Sequence, residues 1–154
     1  MNKLTIKEFY QITKISLDES LTPVDKQVKS MRVLYPDMTI EELEDLPLSK
    51  FEELLSVMDT GLDGAIEKEI RVNNKDYMLK GNIEDFDFSV RQMMIIQRKI
   101  VYDKNAYLHW MMAALYECEC HTLEERAEIF LEHCDLKLSL PFVQVLMNKY
   151  QTNG

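Results

Sequence analysis

Apolar residues recur at helical spacing along most of the chain, and polar residues mark where each helix begins. Five capping boxes, in which Ser or Thr stands three positions before Glu or Gln, are predicted at Thr5, Thr39, Ser49, Ser89 and Thr122. Thr22 before Pro23 is a further start signal, because Pro is favoured in the first helical position. The helices predicted from these signals cover about 6–15, 23–35, 40–46, 50–58, 90–101 and 123–133.

One stretch, residues 104–116, is apolar nearly all round, and from Ala106 to Tyr116 only His109 is frankly polar. A helix that is apolar on most sides is buried, and this one is too short to span a bilayer. We predict that it is the central core helix, with Asp103 as its N-cap. A lone His on such a helix is more often a satisfied core residue than a catalytic base.

Residues 69–80 change to a period of two, which predicts a β-hairpin. Ile70 and Val72 alternate with charged residues before Asn73-Asn74, and Tyr77 and Leu79 alternate with Asp76 and Met78 after it. A two-residue turn pairs Ile70 with Tyr77, while a four-residue loop pairs Val72 with Tyr77. Both registers keep the four apolar side chains on one face. Because a lone hairpin is marginally stable, it must pack on helices or pair with another chain.

The fold predicted from these patterns is mainly α, a compact domain of about seven helices with one β-hairpin at about 69–80. The last helix is predicted to start at Pro141, with Ser139 as its cap. A length of 154 residues with four Gly and four Pro favours a single domain. Its predicted parts are the N-terminal helices 1–35, the acidic helices 36–60, the hairpin 69–80 and the core helices 89–154.

The net charge of −9 is concentrated in one segment, since residues 36–69 alone carry −9. No segment offers the basic surface that nucleic acids or anionic membranes attract, so we expect neither as a partner. No window is long and apolar enough for a membrane span, and the first residues do not resemble a secretory signal. The acidic block is interpreted as a solvated helical face or as a docking face for a basic partner.

Zinc-ligand residue types gather late in the chain, at Cys118, Cys120, His121, His133 and Cys134. The last two lie one helix, ~16 Å, away from the first three, so we interpret the cysteines as ordinary reduced thiols. Three cysteines in all also argue against a disulfide framework. Adjacent acids such as Glu41-Glu42 and paired Met such as Met93-Met94 and Met111-Met112 are interpreted as solvated and packing residues, with a Met interface as the alternative. No catalytic motif is found, and no enzyme activity or cofactor is predicted.

The order of segments adds a family resemblance. An acidic helical stretch, MTIEELEDLPLSKFEELLSVM, precedes the hairpin IRVNNKDYML and the capped helix SVRQMMIIQRKI. The apolar helix AYLHWMMAALY and then ERAEIFLEHCDLKLSLPFVQVLMNKY follow. Over roughly residues 39–150 this order resembles small helical structural and assembly proteins of tailed bacteriophages, especially the crAss-like group and other phages of Bacteroidetes hosts.

The resemblance implies a non-enzymatic virion protein, such as a neck or tail ring, a connector or a cargo component. Its partners would be other phage structural proteins or further copies of the chain in an oligomer or ring, assembled in the host bacterial cytoplasm. The alternatives are a tail-assembly chaperone that is not retained in the virion and an acidic regulatory binding module. Two contact surfaces are predicted: Glu41, Glu42, Glu44 and Asp45 in the acidic block, and Arg71, Asn73, Asn74, Lys75 and Asp76 at the hairpin edge.

Overall fold

A computed structural model describes residues 4–56, 65–82 and 87–153. The elements in chain order are α1 (Ile6–Ser16), α2 (Pro23–Leu34), α3 (Ile40–Glu44), α4 (Leu48–Leu55), β1 (Glu69–Val72), β2 (Lys75–Leu79), α5 (Val90–Tyr102), α6 (Leu108–Leu115), β3 (Tyr116–Glu117), α7 (Leu123–His133) and α8 (Leu136–Asn153). The prediction of a mainly α fold is confirmed, with eight helices in the described ranges. The last two residues of the helix predicted at 50–58 lie outside the described residues.

Four of the five predicted capping boxes are formed, those of Thr5, Thr39, Ser89 and Thr122. In each, the hydroxyl accepts from the backbone three residues on, and the Glu or Gln side chain accepts from the backbone N–H of the cap. The box predicted at Ser49 is wrong. Pro47 precedes the first helical residue, and its carbonyl accepts the first helical hydrogen bond, from Phe51 N at 3.0 Å.

Two further predicted helix starts are wrong. Asp103 ends α5 instead of capping α6, because a turn begins at Asp103 itself. Its carbonyl accepts from Ala106 N at 3.1 Å and its carboxylate accepts from Asn105 N at 2.9 Å. The last helix begins at Leu136, so that Pro141 lies inside it. Asp135 supplies the cap, since its carboxylate accepts from Lys137 N at 3.0 Å.

Long-range pairing fixes that early start of α8. The backbone of Leu136 donates to the Leu4 carbonyl at 2.8 Å, and Ile6 donates to the Cys134 carbonyl at 3.1 Å. These bonds hold the chain entering α1 against the chain leaving α7. Ser139 is fully buried and its hydroxyl donates to the Leu136 carbonyl at 2.8 Å, so it stabilises the first turn of α8 without capping it.

The hairpin has the two-residue turn, with Ile70 opposite Tyr77. Asn73 and Asn74 have φ values of 50° and 65°, the left-handed pair that a type I′ turn requires and that Asn tolerates. Ile70, Val72 and Tyr77 are buried on one face as predicted. A third strand that the sequence did not reveal, β3, pairs antiparallel with β2, so the hairpin is stabilised from within the chain.

Helix α6 is the buried centre, as predicted for this segment, although the helix begins only at Leu108. Its C-terminal carbonyls are satisfied by side chains of two other helices. The Ala113 oxygen accepts from Nε and Nη2 of Arg126 at 3.1 and 3.0 Å, and the Ala114 oxygen accepts from the Gln92 amide at 3.1 Å. A cation at the negative end of a helix is favourable, so the buried Arg126 has a structural role.

The apolar side chains of the described residues form two clusters. The large one surrounds α6 and includes α7, α8 and the inner face of the sheet. The small one joins Met31 of α2 with Leu43 of α3 and Phe51 of α4. Among the described residues, no helix has the length and the apolar composition needed to cross a bilayer.

Candidate interaction surfaces

The first candidate surface is the acidic lobe, which we define as residues 40–55 of α3, α4 and their connection. The small apolar cluster holds these helices on α2, and Tyr35 of α2 donates to the Leu54 carbonyl at 3.3 Å. The four predicted contact residues are all exposed: Glu41, Glu42, Glu44 and Asp45. Lys50 is the only base of the lobe, and its Nζ lies 3.7 Å from Glu53. Two apolar side chains, Leu48 and Ile40, also face outward, Leu48 being 71% exposed.

The second predicted surface, the hairpin edge, consists of Arg71, Asn73, Asn74, Lys75 and Asp76. Its charges are largely engaged within the hairpin, because Arg71 donates to the Asp76 carboxylate at 2.9 Å and to the Asn74 carbonyl at 3.2 Å. Within the described sheet β1 is an edge strand, four residues long. The hairpin edge is therefore accessible, but pairing with a strand of another protein stays a prediction.

A third surface was not predicted, and it lies on α5. We name the outward side chains Val90, Arg91, Met94, Arg98, Val101 and Tyr102 the basic helix face. Val101 is 87% exposed, Val90 is 76% exposed and Met94 is 42% exposed. At 100° per residue these three lie within about 40° of one another on the helix wheel. They form one apolar stripe, and the two exposed guanidinium groups of Arg91 and Arg98 lie together along one edge of it.

The sequence does contain a signal for this surface. Helix α5 has apolar residues on more sides than one packing partner can cover, and it has three bases without one acid. The sequence analysis interpreted Met93 and Met94 as core packing residues, with a Met interface as the alternative. Met93 does pack against the core, as do the fully buried Met111 and Met112, but Met94 faces outward.

The acidic lobe and the basic helix face belong to helices that are far apart in the series of helix contacts. The principal contacts run from α3 and α4 to α2, then to α1, α7, α6 and finally α5. The two surfaces thus bear opposite charges and are carried by different helices of the described chain.

The predicted zinc-ligand types do not converge. Cys118 and Cys120 follow β3, where the Cys120 side chain hydrogen-bonds with Lys75 and thereby raises the pKa of that amine. His121 stacks on the buried Tyr77 with ring centroids 6.4 Å apart. His133 ends α7, and Cys134 is buried immediately after it. The described residues contain no group of three or more His, Cys, Asp or Glu that could hold a metal ion.

His109 is held by Tyr10, a partner 99 residues away that the sequence did not indicate. The Tyr10 hydroxyl accepts from the backbone N–H of His109 at 3.1 Å and lies 2.8 Å from its Nδ1. We assign the hydroxyl as the donor to Nδ1 and the ring proton to Nε2. Burial, with a smaller contribution from Lys99, lowers the pKa of His109 to about 4, so the imidazole is neutral at pH 7.

Cavities lie between the helices of the described parts of the chain. One, of about 220 Å³, has a mainly apolar wall between α1, α6 and α8, including Phe9, Leu108 and Val143. Another, of about 530 Å³, lies between α5, α6 and α7. Its buried polar groups, Gln92 and Arg126, are bonded to backbone carbonyls. Neither wall pairs a nucleophile with a base at hydrogen-bond distance among the described side chains.

No protein-family model matches this sequence, and no curated protein or solved structure matches it either.

Proposed function

We propose that this chain is a non-enzymatic structural protein of a tailed bacteriophage, a neck or tail ring, connector or cargo component that acts through protein–protein contacts. The observation that supports the proposal is the basic helix face. Val90, Val101 and Tyr102 are each more than three-quarters exposed on one helix. Large apolar side chains grouped with Arg are typical of sites that a protein partner covers.

The rest of the molecule agrees with a role in assembly. The acidic lobe gives the chain a second charged surface on other helices, and His109 and Arg126 have structural partners. The proposal assigns no cofactor, nucleic acid or membrane to the chain. It places the protein in the virion after assembly in the host bacterial cytoplasm, with other phage structural proteins or further copies of the chain as partners.

Quantitative mass spectrometry of purified phage particles tests this function. We expect a fixed number of copies per particle, measured against the major coat protein and unchanged by a high-salt wash. A chain that is abundant in infected cells but missing from particles would contradict the virion role and favour the tail-assembly chaperone.

The acidic lobe favours one further candidate, a regulatory module that binds a basic partner. Such a complex would weaken steeply with salt, because exposed charges are screened within ~10 Å at 0.1 M. Capture from infected-cell lysate at low and high salt tests it. A complex with a phage structural protein that survives high salt would argue against this candidate.

A further inference from the structure

Charge complementarity within the chain points to an occupant for the exposed face of α5. The helix has Arg91, Arg98 and Lys99 and no acid, in a chain whose net charge is −9. Lys99 lies 3.8 Å from the centroid of the Trp110 ring, so it is engaged within the fold. Arg91 and Arg98 are exposed and have no carboxylate within 4.0 Å among the described residues.

The acidic lobe has the opposite character. Its acids Glu41, Glu44 and Glu52 are exposed and form no ion pair in the described part of the chain. Leu48 and Ile40 add exposed apolar area next to these carboxylates. Both surfaces therefore combine apolar side chains with charge, and the signs of the charges are complementary.

Within one chain the two surfaces are not paired, since neither Arg91 nor Arg98 lies within 4.0 Å of a carboxylate among the described residues. The acidic lobe packs on α2 and the basic helix face belongs to α5, and α1, α7 and α6 lie between them in the series of helix contacts. A contact between two different surfaces of two copies is head-to-tail, and it repeats into a ring or a filament.

We propose that the basic helix face of one copy binds the acidic lobe of a second copy, head to tail. Arg91 and Arg98 pair with carboxylates that include Glu41 and Glu44, while Val90, Met94 and Val101 pack against Leu48 and Ile40. The inference rests on the proposed function, because it identifies a second copy of the chain as the partner in assembly.

Charge reversal on each surface tests the contact by sedimentation velocity at about 50 mM salt, where exposed charges are weakly screened. The first variant is Arg91→Glu with Arg98→Glu, and the second is Glu41→Lys with Glu44→Lys. We expect the wild type to associate, with at least a tenfold weaker affinity at about 500 mM salt. Each variant alone should sediment as one chain of 18.2 kDa.

Mixing the two variants distinguishes a head-to-tail contact from a symmetric one. The mixture retains an intact acidic lobe on the first variant and an intact basic helix face on the second, so we expect complexes to reappear. Control variants reverse the same number of exposed charges elsewhere, Lys14→Glu with Lys137→Glu and Glu19→Lys with Glu128→Lys, and should associate like the wild type.

Three results would overturn the inference: a wild type that sediments as one chain at about 200 µM and low salt, a second variant that still dimerises, or a mixture that fails to associate. A second variant that still dimerises would indicate contact between two α5 helices. None of these results decides the proposed function, which fails only if the chain is missing from particles or occurs in them without a fixed copy number.

Discussion

Tyr10 and His109 show how a polar group is accommodated beside the apolar centre of this protein. One hydroxyl serves both the backbone and the ring of His109, and the rings meet edge to face at 5.5 Å. Burial raises the pKa of Tyr10 and lowers that of His109, so both groups stay neutral. The sequence predicted a satisfied core histidine but not its partner, because 99 residues separate the pair.

This pair makes stability depend on pH. The pKa of His109 is about 4 in the fold against 6.5 ordinarily, so the unfolded chain takes up a proton first as the pH falls. The stabilisation is present above pH 6.5 and is lost between about 6.5 and 4. When the pH falls from 6.5 to about 4, the wild type should lose about 1–2 kcal/mol more unfolding free energy than His109→Gln loses. This figure allows for partial solvent screening. Urea unfolding at a series of pH values measures this difference, and a constant difference would contradict it.

Arg126 is the second residue whose role only the fold reveals. On the sequence it lies among the acids of an amphipathic helix and reads as a solvated charge. In the structure it is 92% buried and donates to the carbonyls of Ala113 and His121. The end of a helix can be located from the sequence, but the distant side chain that donates hydrogen bonds to its last carbonyls cannot.

Replacing Arg126 with Met should therefore be costly. The substitution leaves the buried Ala113 oxygen without its side-chain donors, which should lower the unfolding free energy by about 2–4 kcal/mol. Arg91→Met is the matched control, since Arg91 lines the same cavity but is exposed, and it should change stability by under ~0.5 kcal/mol. Urea unfolding in high salt compares the two, and equal losses would refute the structural role of Arg126.

At the scale of elements, the helix starts that depend on neighbouring residues were mostly predicted correctly, whereas the elements that depend on long-range pairing were not. Four capping boxes depend on residues within four positions of one another, and they form as predicted. The inward face of the hairpin also forms as predicted, while its two-residue turn is one of the two alternatives that the sequence left open. Strand β3 and the start of α8 depend on partners elsewhere. Tyr116 leaves the helix because Leu79 pairs with it, and Leu136 begins α8 because it bonds to Leu4.

The capping box wrongly predicted at Ser49 can be compared directly with the one that forms at Thr122. Thr122→Ala removes the hydroxyl that accepts from Glu125 N at 3.2 Å, and should cost about 1 kcal/mol. Ser49→Ala should cost under ~0.5 kcal/mol, because α4 begins before Ser49 and has no side-chain cap. Thermal or urea unfolding of both variants measures these costs. A larger loss of unfolding free energy for Ser49→Ala than for Thr122→Ala would contradict this helix start and support the capping box predicted at Ser49.

At the scale of the whole molecule, the proposed contact depends on the separation of acidic and basic side chains onto two surfaces, the acidic lobe and the basic helix face. The sequence located the acidic segment, since adjacent acids are visible in one dimension. It did not reveal that the outward face of α5 bears apolar residues, because periodicity alone does not say which side of an amphipathic helix meets the core. The candidate site was thus half predictable, with the acidic lobe foreseen and the basic helix face missed.

Hydrogen exchange of the wild type at two protein concentrations tests the central claim most directly. Between about 1 µM and about 200 µM at low salt, we expect amide protection to increase in 40–55 and 90–102 together, and to be lost again in high salt. Segments of α1 and α7 should not change. Exchange that is independent of concentration, or protection confined to other elements, would contradict the account.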